Sequence, residues 1–263
     1  MPLDAIMLGL KKAYQCGVRN LVCLRGDPPR GAETWTAVEG GLTYAKDLIQ
    51  LVRKEYGDHF GISVAGYPEG HPDGDYQKDL LYLKEKIDCG GDVIITQLFY
   101  DVDQFLKFVA DVRALGITAP ILPGIMPIQN YQSFMRMTTF CKTRVPQEIL
   151  DALEPIKDDD EAVKAYGVKL AVEMCQRLMA AGIRGLHFYT MNLEKSVMDI
   201  LAQLNLVSST RIRELPWNSV CFVSVLDITF LLLYLGVSVS VCSLRLCPLI
   251  NFSLSLSFFP VHS

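Results

Sequence analysis

The sequence has no CxxC pair and no Cys/His spacing that would suit zinc, although cysteines stand at positions 16, 23, 89, 141, 175, 221, 242 and 247. Structural zinc sites draw on closely spaced thiolates and imidazoles, so these cysteines read as reduced thiols. The first residues, Met1 to Ile6, lack a basic stretch followed by an apolar core, and no secretory signal is expected. Both absences predict a cytosolic protein. Neither sign of charge is in large excess: 25 basic side chains stand against 29 acidic ones, for a net charge of -4. Without a basic footprint a nucleic-acid partner is not expected, and small molecules are. Charge is nearly missing from one region only. From Asn218 to Ser263, Asp227 and Arg245 are the only charged groups apart from His262, and the chain changes character near Asn218.

Before that point the chain alternates short apolar runs with longer amphipathic stretches, the pattern of parallel strands joined by helices. An α/β domain is predicted. Strands are expected at Asn20 to Leu24, Ile62 to Ala65, Val93 to Gln97, Ile121 to Ile125 and Gly185 to Tyr189. Helices are expected at Leu3 to Gln15, Leu42 to Tyr56, Tyr76 to Ile87, Val102 to Leu115, Tyr131 to Cys141, Glu161 to Ala181 and Lys195 to Leu204. In the second of these, Leu42, Ala45, Leu48, Ile49 and Val52 form one apolar stripe, which leaves Lys46, Asp47, Arg53 and Lys54 to face water. Glycines 57, 90, 116 and 182 follow helices, where a left-handed cap is cheapest for glycine.

The chain opens on a helix with no strand before it. A closed parallel barrel needs eight strands and about 250 residues, and residues 1–217 supply five. About five of eight βα units are therefore expected, with two open parallel edges. The remainder, 218–263, reads as an unrelated hydrophobic tail. Its Val220 to Val241 stretch is long enough to span a bilayer, but Asp227 interrupts it at a cost of about 2.5–3.5 kcal/mol. Translated non-coding sequence is the preferred reading of this tail, and a membrane anchor is the alternative.

In parallel α/β folds the ligand site lies at the carboxyl ends of the strands. Here those ends read Arg25-Gly26-Asp27-Pro28, Tyr67-Pro68-Glu69-Gly70-His71, Gln97-Leu98-Phe99, Gly124-Ile125-Met126-Pro127-Ile128-Gln129 and His187-Phe188-Tyr189-Thr190. Each taken alone is equally well a turn or a strand cap. All five shift from apolar to Gly, Pro and hydrogen-bonding residues at one topological level, and that convergence favours a site.

The strings LRGDPP, VAGYPEGHP, ITQLFYD, PGIMPIQNY, VPQEI, LEPIKDDD, YGVKLA and GLHFYTMN, in this order, resemble those of methylenetetrahydrofolate reductase, and most closely its eukaryotic members. The likeness covers roughly residues 1–217. It implies a (β/α)8 TIM barrel, of which this chain holds a part. It also implies FAD across the carboxyl ends of the strands, reduction by NADH or NADPH, and conversion of 5,10-methylenetetrahydrofolate to 5-methyltetrahydrofolate for methionine synthesis. A homo-oligomer is implied for the complete protein.

Carried over position by position, the resemblance places Arg25, Gly26 and Asp27 against FAD, with Asp27 also reaching folate and acting as the catalytic group that tunes the flavin. Tyr44 and Ala45 match a further FAD contact. Tyr67 and His71 match residues against the flavin and its ribityl chain, and Asp79 and Lys86 match those holding its adenosine diphosphate. Gln97, Gln129 and Tyr189 match folate contacts. Without the resemblance, Asp79 and Lys86 read as a solvated helix face, Gln97 and Gln129 as strand-end caps, and Tyr189 as a packing aromatic.

Two positions depart from the family. Leu193 stands where some members have an arginine, and the glutamate that serves the family as general acid, at the end of the first barrel strand, has no counterpart here. Glu33 and Glu69 lie in loops on the expected face and are assigned no role. A non-catalytic product that binds a full-length subunit is the competing reading, and another barrel enzyme for phosphorylated substrates is a third.

Overall fold

Helix and strand alternate as the apolar periodicity requires. The computed structural model describes residues 2–26, 39–71, 74–191, 193–207, 222–227, 237–243 and 255–260, the last three segments by their backbone. In chain order the elements are α1 (Leu3–Gln15), β1 (Asn20–Cys23), α2 (Ala45–Tyr56), β2 (Gly61–Gly66), α3 (Tyr76–Asp88), β3 (Val93–Leu98) and α4 (Val102–Ala114). There follow β4 (Ile121–Ile125), α5 (Tyr131–Cys141), α6 (Gln147–Leu153), α7 (Asp160–Ala180), β5 (Gly185–Phe188) and α8 (Glu194–Gln203). Three more strands, β6 (Phe222–Asp227), β7 (Val237–Ser243) and β8 (Ser255–Pro260), come from the hydrophobic tail.

The five strands expected before Asn218 form within a residue or so of their predicted bounds and pair in parallel in sequence order. The expectation of two open edges is corrected. A parallel edge presents a row of unpaired N–H and C=O groups, and here both edges are covered: β5 pairs with β6 and β1 with β8, in parallel. β7 lies antiparallel to both β6 and β8, so the eight strands close in sequence order. Five βα units are thus joined by three tail strands. The apolar stretch from Val220 to Val241 holds β6 and the start of β7, and among the described residues no helix is long and apolar enough to cross a membrane.

The parallel strands carry near-continuous apolar runs because helices cover their outer faces. Leu21, Ile62, Val64, Ile94, Ile121, Ile125, Leu186 and Phe188 are all buried. Helix starts follow from side-chain oxygens that satisfy otherwise unpaired N–H groups. Asp75 accepts from Gln77 and Lys78, Asp101 from Asp103 and Gln104, Asn130 from Ser133, and Asp159 from Glu161 and Ala162. α2 begins at Ala45, three residues later than its apolar stripe suggests. The Asp47 carboxylate reaches back to accept the N–H groups of Thr43 and Tyr44, and this holds the chain there as a cap. α6 was not expected: its seven residues, set between Pro146 and Pro155, are too few to show a helical period.

Arg53 corrects another expectation, since it does not face water. Its side chain is 19% exposed and donates to the carbonyls of Gly90 and Phe60 and to the Asp92 carboxylate. Asp92 in turn accepts the Ile62 N–H at 2.7 Å. One guanidinium therefore ties α2 to the amino ends of β2 and β3, opposite the candidate site.

His187, in β5, is fully enclosed, and burial pushes it down from the usual 6.5 to about 4. The folded chain then binds fewer protons than the unfolded chain between these values, so stability falls as pH drops from 6.5 and the loss is complete below about 4. The gap corresponds to about 3 kcal/mol. Urea denaturation across this range should show that loss, and His187→Gln, which cannot titrate there, should show a flatter dependence.

Candidate active site

The parallel ladder is broken where the site begins. Between Ile95 and Leu98 the chain takes three steps along β3 against two along β4, from Leu122 to Gly124, so β3 bulges at Thr96 and Gln97. Bulges disrupt ladder hydrogen bonds and re-aim side chains. Fully buried Thr96 repairs the break: its hydroxyl accepts the Gly124 N–H at 2.9 Å, and its carbonyl accepts the Tyr189 hydroxyl at 3.0 Å. Gly124 must lack a side chain, because a Cβ there would run into the Thr96 carbonyl and come within 2.7 Å of the Tyr189 ring. The Tyr189 N–H donates to Ile125 O at 2.9 Å, and its ring meets His187 edge-on at 4.7 Å. Packing and hydrogen bonding thus hold Tyr189 at the ends of β3, β4 and β5.

A second group gathers after β2. Tyr67 and His71 meet edge-to-face with ring centroids 4.9 Å apart. Lys86, from α3, donates to Ala65 O at 2.6 Å and lies 5.9 Å from the Tyr67 ring centroid. Burial lowers Lys86 to about 8, against the opposing pull of Asp79. Burial also raises Asp79, which Lys86 and His71 partly counter. Asp79 and Lys86 are therefore not a solvated face: they turn inward toward His71 and Tyr67. A lysine stripped of water with only a half-buried carboxylate opposite it has capacity for a further anion.

Tyr67, His71 and Gln97 line one cleft of about 460 Å³, together with Pro68, Glu69 and Gln104. Its other wall is 141–144, the turn between α5 and α6. Two bonds set its shape. Gln104 donates to Pro68 O at 2.8 Å, and the Arg144 N–H donates to Glu69 Oε2 at 2.8 Å. Burial raises the Glu69 carboxyl, with the Arg144 N–H opposing. Gln97 Oε1 accepts the Leu98 N–H at 2.9 Å, the local capping bond that a strand-end glutamine is expected to make. Gln104 and residues 141–144 were missed by sequence reasoning. The Asp101 cap that opens α4 signals where Gln104 lies, whereas the left-handed backbone of Lys142 (φ 52°) that turns the chain toward the cleft has no glycine to announce it.

Gln129, after β4, accepts the Ser196 hydroxyl at 2.9 Å on its Oε1. Its Nε2 is buried with no hydrogen-bond partner. The remaining expected residues lie apart. Tyr44 is 56% exposed and Ala45 opens α2; the Tyr44 N–H is capped by Asp47, and Lys46 Nζ stands 5.9 Å from its ring. Arg25 and Gly26 follow β1, Arg25 exposed, while Asp27 and Glu33 lie outside the described residues. Among the described residues no group of His, Cys, Asp and Glu could hold a metal ion.

With this geometry in view, comparison with known proteins is decisive for family. The family model for methylenetetrahydrofolate reductase matches residues 1–205. This chain belongs to the methylenetetrahydrofolate reductase family. It is 54% identical over 229 residues to a probable methylenetetrahydrofolate reductase (NADH) of Oryza sativa, covering 83% of this chain and 39% of that one. It is 51% identical over 228 residues to methylenetetrahydrofolate reductase 2 of Saccharomyces cerevisiae, covering 83% and 38%. With the 5,10-methylenetetrahydrofolate reductase of Pectobacterium carotovorum it shares 40% over 182 residues, covering 68% and 58%. The chain spans about two fifths of the length of the plant and yeast relatives.

Two outcomes follow from this geometry. Gly124→Ala should cost about 1–3 kcal/mol in urea denaturation through overpacking. It should also displace Tyr189, read as increased fluorescence quenching of that ring by acrylamide. Raising the pH through about 8 discharges Lys86, so affinity for pyrophosphate, used as an anionic probe, should fall across that value. Lys86→Met should bind it weakly at every pH. Because Lys86 sits below its usual 10.5 in the fold, the chain without ligand should also gain stability between about 8 and 10.5, a gain that Lys86→Met lacks.

Proposed function

We propose that this chain carries the ligand-binding face of an FAD-dependent methylenetetrahydrofolate reductase, in a cytosolic setting. The observation that carries the reading is the meeting of Tyr67, His71 and Gln97 in one cleft, with half-buried Lys86 beside the Tyr67 ring and Tyr189 locked onto the same strand ends. The residues fit a flavin nucleotide by their chemistry. Aromatic edges offer a flat apolar contact, and a desolvated ammonium next to an incompletely matched carboxylate accommodates a diphosphate. On this reading Tyr67 and His71 hold the flavin end, and Lys86 and Asp79 the adenosine diphosphate end. Arg25, Gly26, Tyr44 and Ala45 add contacts from the β1 side, and Asp27 tunes the flavin from its own loop. Bound FAD would supply hydride transfer from NADH or NADPH to 5,10-methylenetetrahydrofolate, giving 5-methyltetrahydrofolate.

The chain's own residues bind and orient the folate. Gln97 and Gln129 offer amides whose paired donor and acceptor match the edge of a pterin ring. Gln129 supports this most directly, since a buried Nε2 without a partner is costly until a ligand acceptor meets it. Tyr189, held by the Thr96 carbonyl, supplies a rigid wall against which the ring can lie. No side chain is assigned as the proton donor to the folate nitrogen. The tail strands are read as barrel wall, since every assigned residue precedes Asn218. Burial pushes the Cys23 and Cys175 thiols up to about 12, which makes them poor nucleophiles and leaves them no part in the chemistry.

Equilibrium dialysis of the purified chain against FAD tests the reading. Stoichiometric retention of flavin absorbance, lost in Lys86→Met, is expected. A chain that stays colourless at FAD concentrations that saturate its relatives sinks the flavoenzyme reading and leaves a non-catalytic role.

A further inference from the structure

Ser196 is one of the few buried polar side chains among the described residues. It sits in the first turn of α8, is 1% exposed, and spends its hydroxyl on the Oε1 of Gln129, 67 residues away. Gln129 follows β4 and Ser196 follows β5, so the bond joins two neighbouring strand ends on the site side of the barrel. Its effect is on orientation. A glutamine amide can turn about its last torsion and exchange its oxygen for its NH2 group, which reverses what it offers a ligand. With Oε1 engaged by Ser196, the opposite end is Nε2, and that nitrogen is buried without a partner. Buried amide donors are nearly always satisfied in native proteins, so a lone one marks a place where a partner is expected.

We propose that Ser196 is a positioning residue that fixes the Gln129 amide with Nε2 as a donor, so that the site selects a ligand bearing an acceptor, a carbonyl oxygen or an unprotonated ring nitrogen, at that point. Ser196 does not touch the ligand. It acts through Gln129, and the inference rests on the folate-binding reading only for what the ligand is, because the hydrogen bond and the buried donor stand without it. Loss of the hydroxyl frees the amide to turn, after which half its orientations present oxygen to an acceptor and repel it. Threonine keeps the hydroxyl and should keep the orientation.

Two measurements on the full chain separate the orientation from the ligand. The first follows the Gln129 side-chain NH2 signals by 15N NMR, assigned by their disappearance in Gln129→Leu. Slow solvent exchange and resolved, distinct protons are expected in the unmodified chain. Ser196→Ala should speed exchange about tenfold as the amide is released, whereas Ser196→Thr should restore it, with circular dichroism unchanged in both. The second titrates 5-methyltetrahydrofolate: Ser196→Ala should weaken binding about twofold, since half the amide orientations then present the donor, while FAD retention stays level. Unaltered Gln129 signals in Ser196→Ala overturn the proposal. So does a released amide with unchanged folate affinity, since Nε2 would then not be read by the ligand. If the unmodified chain fails to bind 5-methyltetrahydrofolate, the folate reading falls, and the amide signals alone decide whether Ser196 positions Gln129.

Discussion

Everything at the site depends on how one buried threonine manages a flaw in the sheet. The extra residue in β3 breaks the parallel ladder against β4 and would leave the Gly124 N–H facing no carbonyl. An unpaired amide in an apolar interior costs free energy comparable to a lost hydrogen bond. Thr96 removes that cost with its hydroxyl, and its own carbonyl, displaced from the ladder, captures the Tyr189 hydroxyl. A bulge in β3, a glycine in β4 and a tyrosine after β5 are therefore one construction. The bulge also falls at Gln97, so the residue with the clearest ligand chemistry on β3 is the one whose direction the irregularity sets.

The second constraint is buried polarity that the protein itself does not satisfy in full. At the amino ends of the strands the polar groups are matched: Arg53 donates to three carbonyls and to Asp92, and Asp92 accepts a backbone N–H. At the carboxyl ends they are not. Lys86 has lost water and gained one carbonyl and a partly buried aspartate, while Gln129 has an amide nitrogen with nothing opposite. The contrast between the two ends is the physical content of calling one a scaffold and the other a site, because imbalance in a folded interior persists where binding resolves it.

Much of this was legible along the chain. The five parallel strands, α1 and α5 were fixed by apolar period and helix punctuation, and the level at which chemistry would appear was fixed by the topology of parallel sheets. Tyr67, His71 and Gln97 were identified from their place just past strands, and the structure brings them into one cleft. What failed had a local cause. Arg53 was placed in water because helical period assigns it to the polar face, and period is blind to a neighbouring strand that offers carbonyls. α6 was missed because two prolines leave it too short to repeat. The open edges were expected because the tail reads as unrelated to the residues before it, and nothing local in it announces that β6 pairs with β5 and β8 with β1.

The sequence by itself determined the five parallel strands and the longer helices before Asn218, the strand ends at which candidate ligand groups lie, and which family they belong to, because these rest on short-range period and on ordered motifs. Only the tertiary structure decided that Asp79 and Lys86 turn inward, that residues 141–144 wall the cleft, that Thr96 mends the bulge, and that Ser196 holds Gln129. Each of these is a contact between residues far apart in the chain. Burial, unlike propensity, is a property that no residue has until its neighbours have arrived.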